Sequence, residues 1–152
     1  MYRRNILLLL ICLLMLTGCG HSDEAGGARA GILTAEEIVA AFEGRGLEVT
    51  QADVRPQSIF QRELNGQEPL VFLLNGDEIS LYPFPSAEER EAGMEDFEQH
   101  TRTADPVPYK VYQEGSLLLY YVQDFGQAVE QELDAKIKGA VADLLLLADP
   151  EA

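Results

Sequence analysis

The chain has 152 residues, two cysteines and no tryptophan, and its 26 Asp and Glu against 11 Lys and Arg give a net charge of −15. That balance argues against nucleic acid, which proteins hold by Lys and Arg on phosphates, and against a domain lying on anionic lipid through a polybasic face. The length fits one domain with enough chain for a real core.

Arg3 and Arg4 open the chain with positive charge, and residues 6–16 are almost wholly Leu and Ile, interrupted only by Cys12 and Met15. As a helix this run spans roughly 16 Å, and a transmembrane helix needs about 20 apolar residues. It therefore reads as the apolar core of a cleaved leader. Thr17 and Gly18 are small, as a peptidase needs near its cut. Leu16-Thr17-Gly18-Cys19 resembles the bacterial lipobox, [Leu/Val]-x-[Gly/Ala]-Cys. The resemblance implies a diacylglycerol on the Cys19 sulfur and cleavage between Gly18 and Cys19, leaving the protein on the extracytoplasmic face of the cell membrane. Cysteine suits the role because its sulfur is the best side-chain nucleophile near neutral pH, and two acyl chains hold a protein where one does not.

The lipid on Cys19 makes the membrane the first expected partner, an envelope protein the second, and nucleic acid none. Loss of Arg3 and Arg4 with the leader takes the net charge to −17. Cys12 leaves as well and Cys19 carries the lipid, so the mature chain is expected to have no disulfide and to rely on its core.

Residues 20–31 carry four glycines and no apolar periodicity. They read as a tether able to lift a domain roughly 20 Å by random-coil statistics, within a lipidated, flexible segment 19–32 that precedes a single domain over 33–149. A helix is predicted from Thr34, with Glu37 completing a capping box and Ala35, Ile38, Val39 and Phe42 on one face. Gly44 and Gly46 end it. Their spacing also matches the start of a dinucleotide loop, but they follow a helix and Val49 stands in place of the third glycine. Residues 47–54 read as a first strand broken by Arg55-Pro56, and 59–64 read equally as sheet or loop.

Residues 69–82 and 108–121 resemble each other. Each begins with Pro, turns at a polar-Gly-polar step and ends in an apolar-x-Leu-Tyr or similar strand. Asn75-Gly76 is a strong hairpin signal and Glu114-Gly115 a weaker one. A helix follows each, a pattern compatible with a duplicated ββα unit and equally with convergent hairpin patterning. The first of these helices starts at Ser86, caps with Glu89 and runs to about His100, with a thin apolar face of Ala87, Met94 and Phe97. The second carries a stripe of Val129, Leu133, Ile137, Val141, Leu144 and Ala148 and stops at Asp149-Pro150. Leu144 to Leu147 supply more leucine than one face needs.

The expected fold is α+β: an antiparallel sheet of four to five strands packed with about three helices. One sheet face takes helices, and the other is expected partly exposed and aromatic. The candidate interaction surface is Tyr82, Phe84, Tyr120 and Tyr121, with Tyr109 a further aromatic on that side. Tyr82-Pro83-Phe84-Pro85 reads as a recognition loop or as a strand-to-helix connector with its aromatics under the helix, and the rigidity of Pro favours the connector.

No HExxH, GxSxG or P-loop pattern is present. His21 falls in the tether, and His100 at a helix C-terminus, where it complements the dipole. Zinc is disfavoured by the ligand count. Glu88, Glu89, Glu91, Glu95, Asp96 and Glu98 crowd one helix, but calcium needs ligands converging from a loop, so they read as a solvated face. No catalytic residue, metal ligand or cofactor is predicted. The sequence thus points to a lipid-anchored envelope lipoprotein with a non-catalytic binding module. A carboxylate-dependent envelope hydrolase and a ligand- or cation-binding accessory protein of a transporter are the alternatives.

Overall fold

A computed structural model describes residues 33–123 and 129–148 of the chain; the leader, Cys19 and the tether lie outside them. Helix α1 (Ala35–Glu43) begins at the predicted capping box, with Thr34 Oγ1 accepting from the Glu37 amide and Glu37 accepting from the Thr34 amide. The first strand, β1 (Val49–Gln51), is shorter than the sequence suggested. A long connection over residues 52–69 leads to a hairpin of β2 (Leu70–Leu74) and β3 (Asp77–Pro83). Helix α2 (Ala87–Thr101), strands β4 (Tyr109–Glu114) and β5 (Leu117–Val122), and helix α3 (Gln131–Ala148) complete the fold. The five strands form one antiparallel sheet in the order β1-β2-β3-β5-β4. The expected α+β class and antiparallel sheet are thus present. No helix among the described residues is long and apolar enough to cross a membrane.

Turn chemistry differs between the two hairpins. Asn75 and Gly76 both take positive φ, 52° and 96°, as a type I′ turn requires. In the second hairpin Glu114 pairs with Leu117, so the turn residues are Gly115 and Ser116, and only Gly115 has positive φ, 50°. Glycine first is the pattern of a II′ turn. The two glycines therefore occupy different turn positions, and equivalent hairpin residues lie 40 apart in the chain rather than the 39 that aligns the glycines. One residue matters because it exchanges the faces of a strand. The hairpin-then-helix order occurs twice, but α2 and α3 pack on opposite faces of the sheet.

Strand β5 is apolar on both sides, and the sheet is covered on both faces. On one face Ile38 and Phe42 of α1 and Ile137, Val141 and Leu144 of α3 meet Phe72, Ile79, Leu119 and Tyr121 of the sheet. On the other, Phe97 of α2 and Phe60 and Leu64 of the 52–69 connection meet Tyr82, Leu118 and Tyr120. The connection holds no strand, only a bridge between Leu64 and Gln67 around a tight turn at Asn65-Gly66 with φ of 45° and 79°.

The proposed interaction surface is corrected by this packing. Tyr82, Phe84, Tyr120 and Tyr121 are all no more than 2% exposed. The 52–69 connection covers Tyr82 and Tyr120, and helices cover the other two. Phe84 lies beneath α2, where a Cβ on Gly93 would stand 2.3 Å from its ring. Tyr121 falls on the opposite face from Tyr82 and Tyr120, against α1 and α3. Leu146 and Leu147, 61% and 52% exposed, are the leucines that one face did not need.

Candidate functional site

The cover on the α2 face stops one row short of the sheet's end. Register aligns Thr50, Leu73, Glu78, Val122 and Tyr109 across all five strands at the end carrying the β2–β3 turn. Side chains alternate along each strand, so this row shares its face with Ser80, Tyr120 and Tyr82 further in. Leu73 and Tyr109 are 39% and 38% exposed, whereas the inner row is buried. Of the aromatics expected on an open face, Tyr109 alone stays accessible, its ring packing 5.0 Å from Phe60 and 5.8 Å from Phe97.

A cleft of about 450 Å³ opens above the β2–β3–β5 part of this row, between the sheet and the first half of the 52–69 connection. Its floor is apolar, from Val71, Leu73 and Val122, and its rim carries Asp53, Arg55, Asp77 and Glu78. This size falls within the range of small-ligand sites, which combine apolar lining with a few placed polar groups.

Glu78 is 8% exposed, and its carboxylate accepts from the Arg55 guanidinium and from Ser58 Oγ at 3.3 Å. Asp77, which strand alternation turns toward the α1–α3 face, accepts there from the Tyr121 hydroxyl at 2.6 Å. Burial, then the Asp77 bond and charge, raise the Tyr121 hydroxyl above its ordinary range, so it remains a donor. Gln61 is 3% exposed, and its Oε1 accepts from the Arg55 amide. That bond fixes the orientation of the side-chain amide, because the oxygen must face the N–H. Nε2 is then buried with no partner among the described residues.

The wall over the cleft is held by polar contacts at separated points. The Tyr82 hydroxyl lies 2.8 Å from the Phe60 carbonyl and 2.7 Å from that of Arg62. Burial, with Tyr120 and Glu78 nearby, pushes this phenol well above its ordinary range, so it keeps its proton and can donate. Asp96 of α2 accepts from the Asn65 amide at 3.0 Å, anchoring the Asn65-Gly66 turn. Arg90 of α2 donates to the Gly115 carbonyl at 2.8 Å and to Gln113. Part of the charge on α2 thus ties neighbouring segments together, while Glu88, Glu89, Glu95 and Glu98 stay exposed. His100 closes the last turn of α2, its Nδ1 2.8 Å from the Asp96 carbonyl and 2.9 Å from its carboxylate.

The sequence reading missed Arg55, Ser58, Gln61 and Glu78. Asn65-Gly66 repeats the signal of Asn75-Gly76 and marks a turn in the connection, which was the available hint that 52–69 is ordered. Nothing in residues 52–61 announces the cleft, since its partners are 20 or so positions away. Among the described residues no three Asp, Glu or His side chains converge as a metal-ligand set.

No protein-family model, curated protein or solved structure matches the chain.

Proposed function

We propose that the chain is a bacterial envelope lipoprotein, held on the extracytoplasmic face of a membrane by lipid on Cys19, and that its domain is a non-catalytic binding module. The observation that carries the address is the lipobox Leu16-Thr17-Gly18-Cys19 in register with Arg3, Arg4 and the apolar run 6–16. The binding reading draws on the cleft beside Gln61, where an apolar floor meets a polar rim. Binding is favoured over carboxylate hydrolysis because the two adjacent acids are already engaged, Glu78 by Arg55 and Asp77 by Tyr121. A general acid and base must be free to reach the substrate.

The address is tested by expressing the full chain in bacteria fed an alkyne-bearing fatty acid. Label on the mature protein and its recovery with membranes are expected, both lost in Cys19→Ala. Equal label or equal membrane recovery in the variant overturns the reading.

A further inference from the structure

We infer that the cleft between the sheet end and residues 52–61 takes a lysine- or arginine-bearing peptide segment, with Gln61 Nε2 donating to a carbonyl of that segment. The inference deepens the binding-module reading and rests on it. Three observations carry it independently of one another.

The first is the orphaned amide. Gln61 is buried, its Oε1 is committed to the Arg55 N–H, and Nε2 has no partner among the described residues. A buried amide donor without an acceptor is destabilising, because its desolvation is not offset. Gln61 also lines the cleft, so an acceptor entering there removes that cost. A peptide carbonyl is such an acceptor.

The second is charge. Asp53, Asp77 and Glu78 line the cleft against one guanidinium, that of Arg55. Glu78 already receives Arg55 and the Asp77 carboxylate is turned to Tyr121 on the other face, so the uncompensated negative charge at the rim lies at Asp53. Charge at a rim selects partners by sign and hastens encounter. An anionic ligand attracted to Arg55 meets the Glu78 and Asp53 carboxylates, whereas a cationic side chain meets Asp53 uncompensated. The net charge of −15 on the whole chain adds attraction for cations from any direction.

The third is shape and floor. Leu73 and Val122 present apolar surface at the base, and Leu73 is 39% exposed despite lying on a strand inside the sheet. Long basic side chains lay their methylenes on apolar surface and keep the charged head in water. A volume of about 450 Å³ accommodates one such residue with its flanking peptide groups.

The test uses the lipidated full-length mature protein in detergent micelles, labelled with ¹⁵N and titrated with blocked dipeptides. The probes are acetyl-Val-Lys-amide, the norleucine and glutamate counterparts, and spermidine. Saturable shifts at the Gln61 side-chain amide and the Leu73 and Val122 backbone amides are expected with the lysine peptide. The other three probes are expected to bind at least tenfold more weakly. Spermidine shares the charge but lacks the carbonyl, so equal binding by it overturns the role of Gln61. Equal binding by norleucine overturns the role of charge.

Gln61→Leu is expected to weaken the lysine peptide about tenfold. Because this variant alters a buried residue, exposed Asp53→Lys serves as the second variant and is expected to weaken binding similarly. Glu95→Gln on α2, away from the cleft, is expected to change it less than twofold. Shifts spread over the acidic face of α2, or no saturable shift, overturn the inference. Membrane anchorage is scored separately through Cys19, so failure of the address and failure of the cleft give different results.

Discussion

The two faces of the sheet are closed by different means. Under α1 and α3 the cover is apolar along its length, from Leu33 and Val49 to Ala148. The polar links between elements here lie at the periphery, such as the two-pronged pair of Arg45 with Asp143 at 2.6 and 2.7 Å. Under α2 the cover is divided between a helix with little apolar surface and a connection without strands, which is held at separate points by Tyr82, Asp96 and the Arg55–Glu78 pair. Burial of apolar area is cooperative and non-directional, while a few hydrogen bonds each contribute about 1 kcal/mol net. One face is therefore a structural core. The other is a divided cover over an open cleft, and connections longer than about 12–15 residues in compact domains are commonly functional.

Cutting into the first face is the most damaging change. Phe72→Ala, at a side chain with no exposure, is expected to cost about 3–5 kcal/mol, read as a drop in the urea midpoint of the whole domain. A smaller effect is expected from Gly93→Ala in α2. The new Cβ meets the Phe84 ring at 2.3 Å, and overpacking of this sort costs about 1–3 kcal/mol. Circular dichroism melting of this variant beside Phe72→Ala ranks the two faces; a Gly93→Ala protein as stable as the parent means that Phe84 can leave its place under the helix.

Tyr82→Phe sharpens the contrast. Loss of one buried hydroxyl is expected to cost about 1–2 kcal/mol, and hydrogen exchange should accelerate over residues 59–64 more than over α1 or α3. Uniform acceleration across the domain is the contrary result, since it makes the connection part of the global core.

The smallest effect concerns acid. Lys110 first, then Lys138, hold the Asp134 carboxyl down at about 2 from an ordinary 3.8. A lowered folded value means stabilisation that is complete above about 3.8 and lost as pH falls through about 2. The stability gap between the parent and Asp134→Asn should therefore be larger at pH 5 than at pH 2, by roughly 1 kcal/mol after solvent screening. An equal gap at both pH values removes the Lys110–Asp134 link between β4 and α3 from the account.

Much of the domain was legible before its packing was known. Thr34 and Glu37, Ser86 and Glu89, and the stripe through Ile137, Val141 and Leu144 announce helices that form where expected, because caps and apolar periodicity act within a few residues of each other. Asn75-Gly76 announces its hairpin for the same reason. The cleft was not legible. Arg55 meets Glu78, and Tyr82 meets Phe60 and Arg62, across 20 or more positions, and neither residue type nor spacing encodes such meetings.

The order of helices and strands, the acidic surface and the expectation of a lipid anchor at Cys19 follow from local geometry, composition or a contiguous motif. Tertiary structure alone decided which face each aromatic takes. Replacing an Asn-Gly turn by one led by Gly115 moves the glycine by one position, and a strand exchanges its faces with every residue. It likewise decided that residues 52–69 would cover Tyr82 and Tyr120 yet leave Leu73, Glu78 and Tyr109 at an open end, because the reach of a connection is set by where its anchoring partners lie across the sheet.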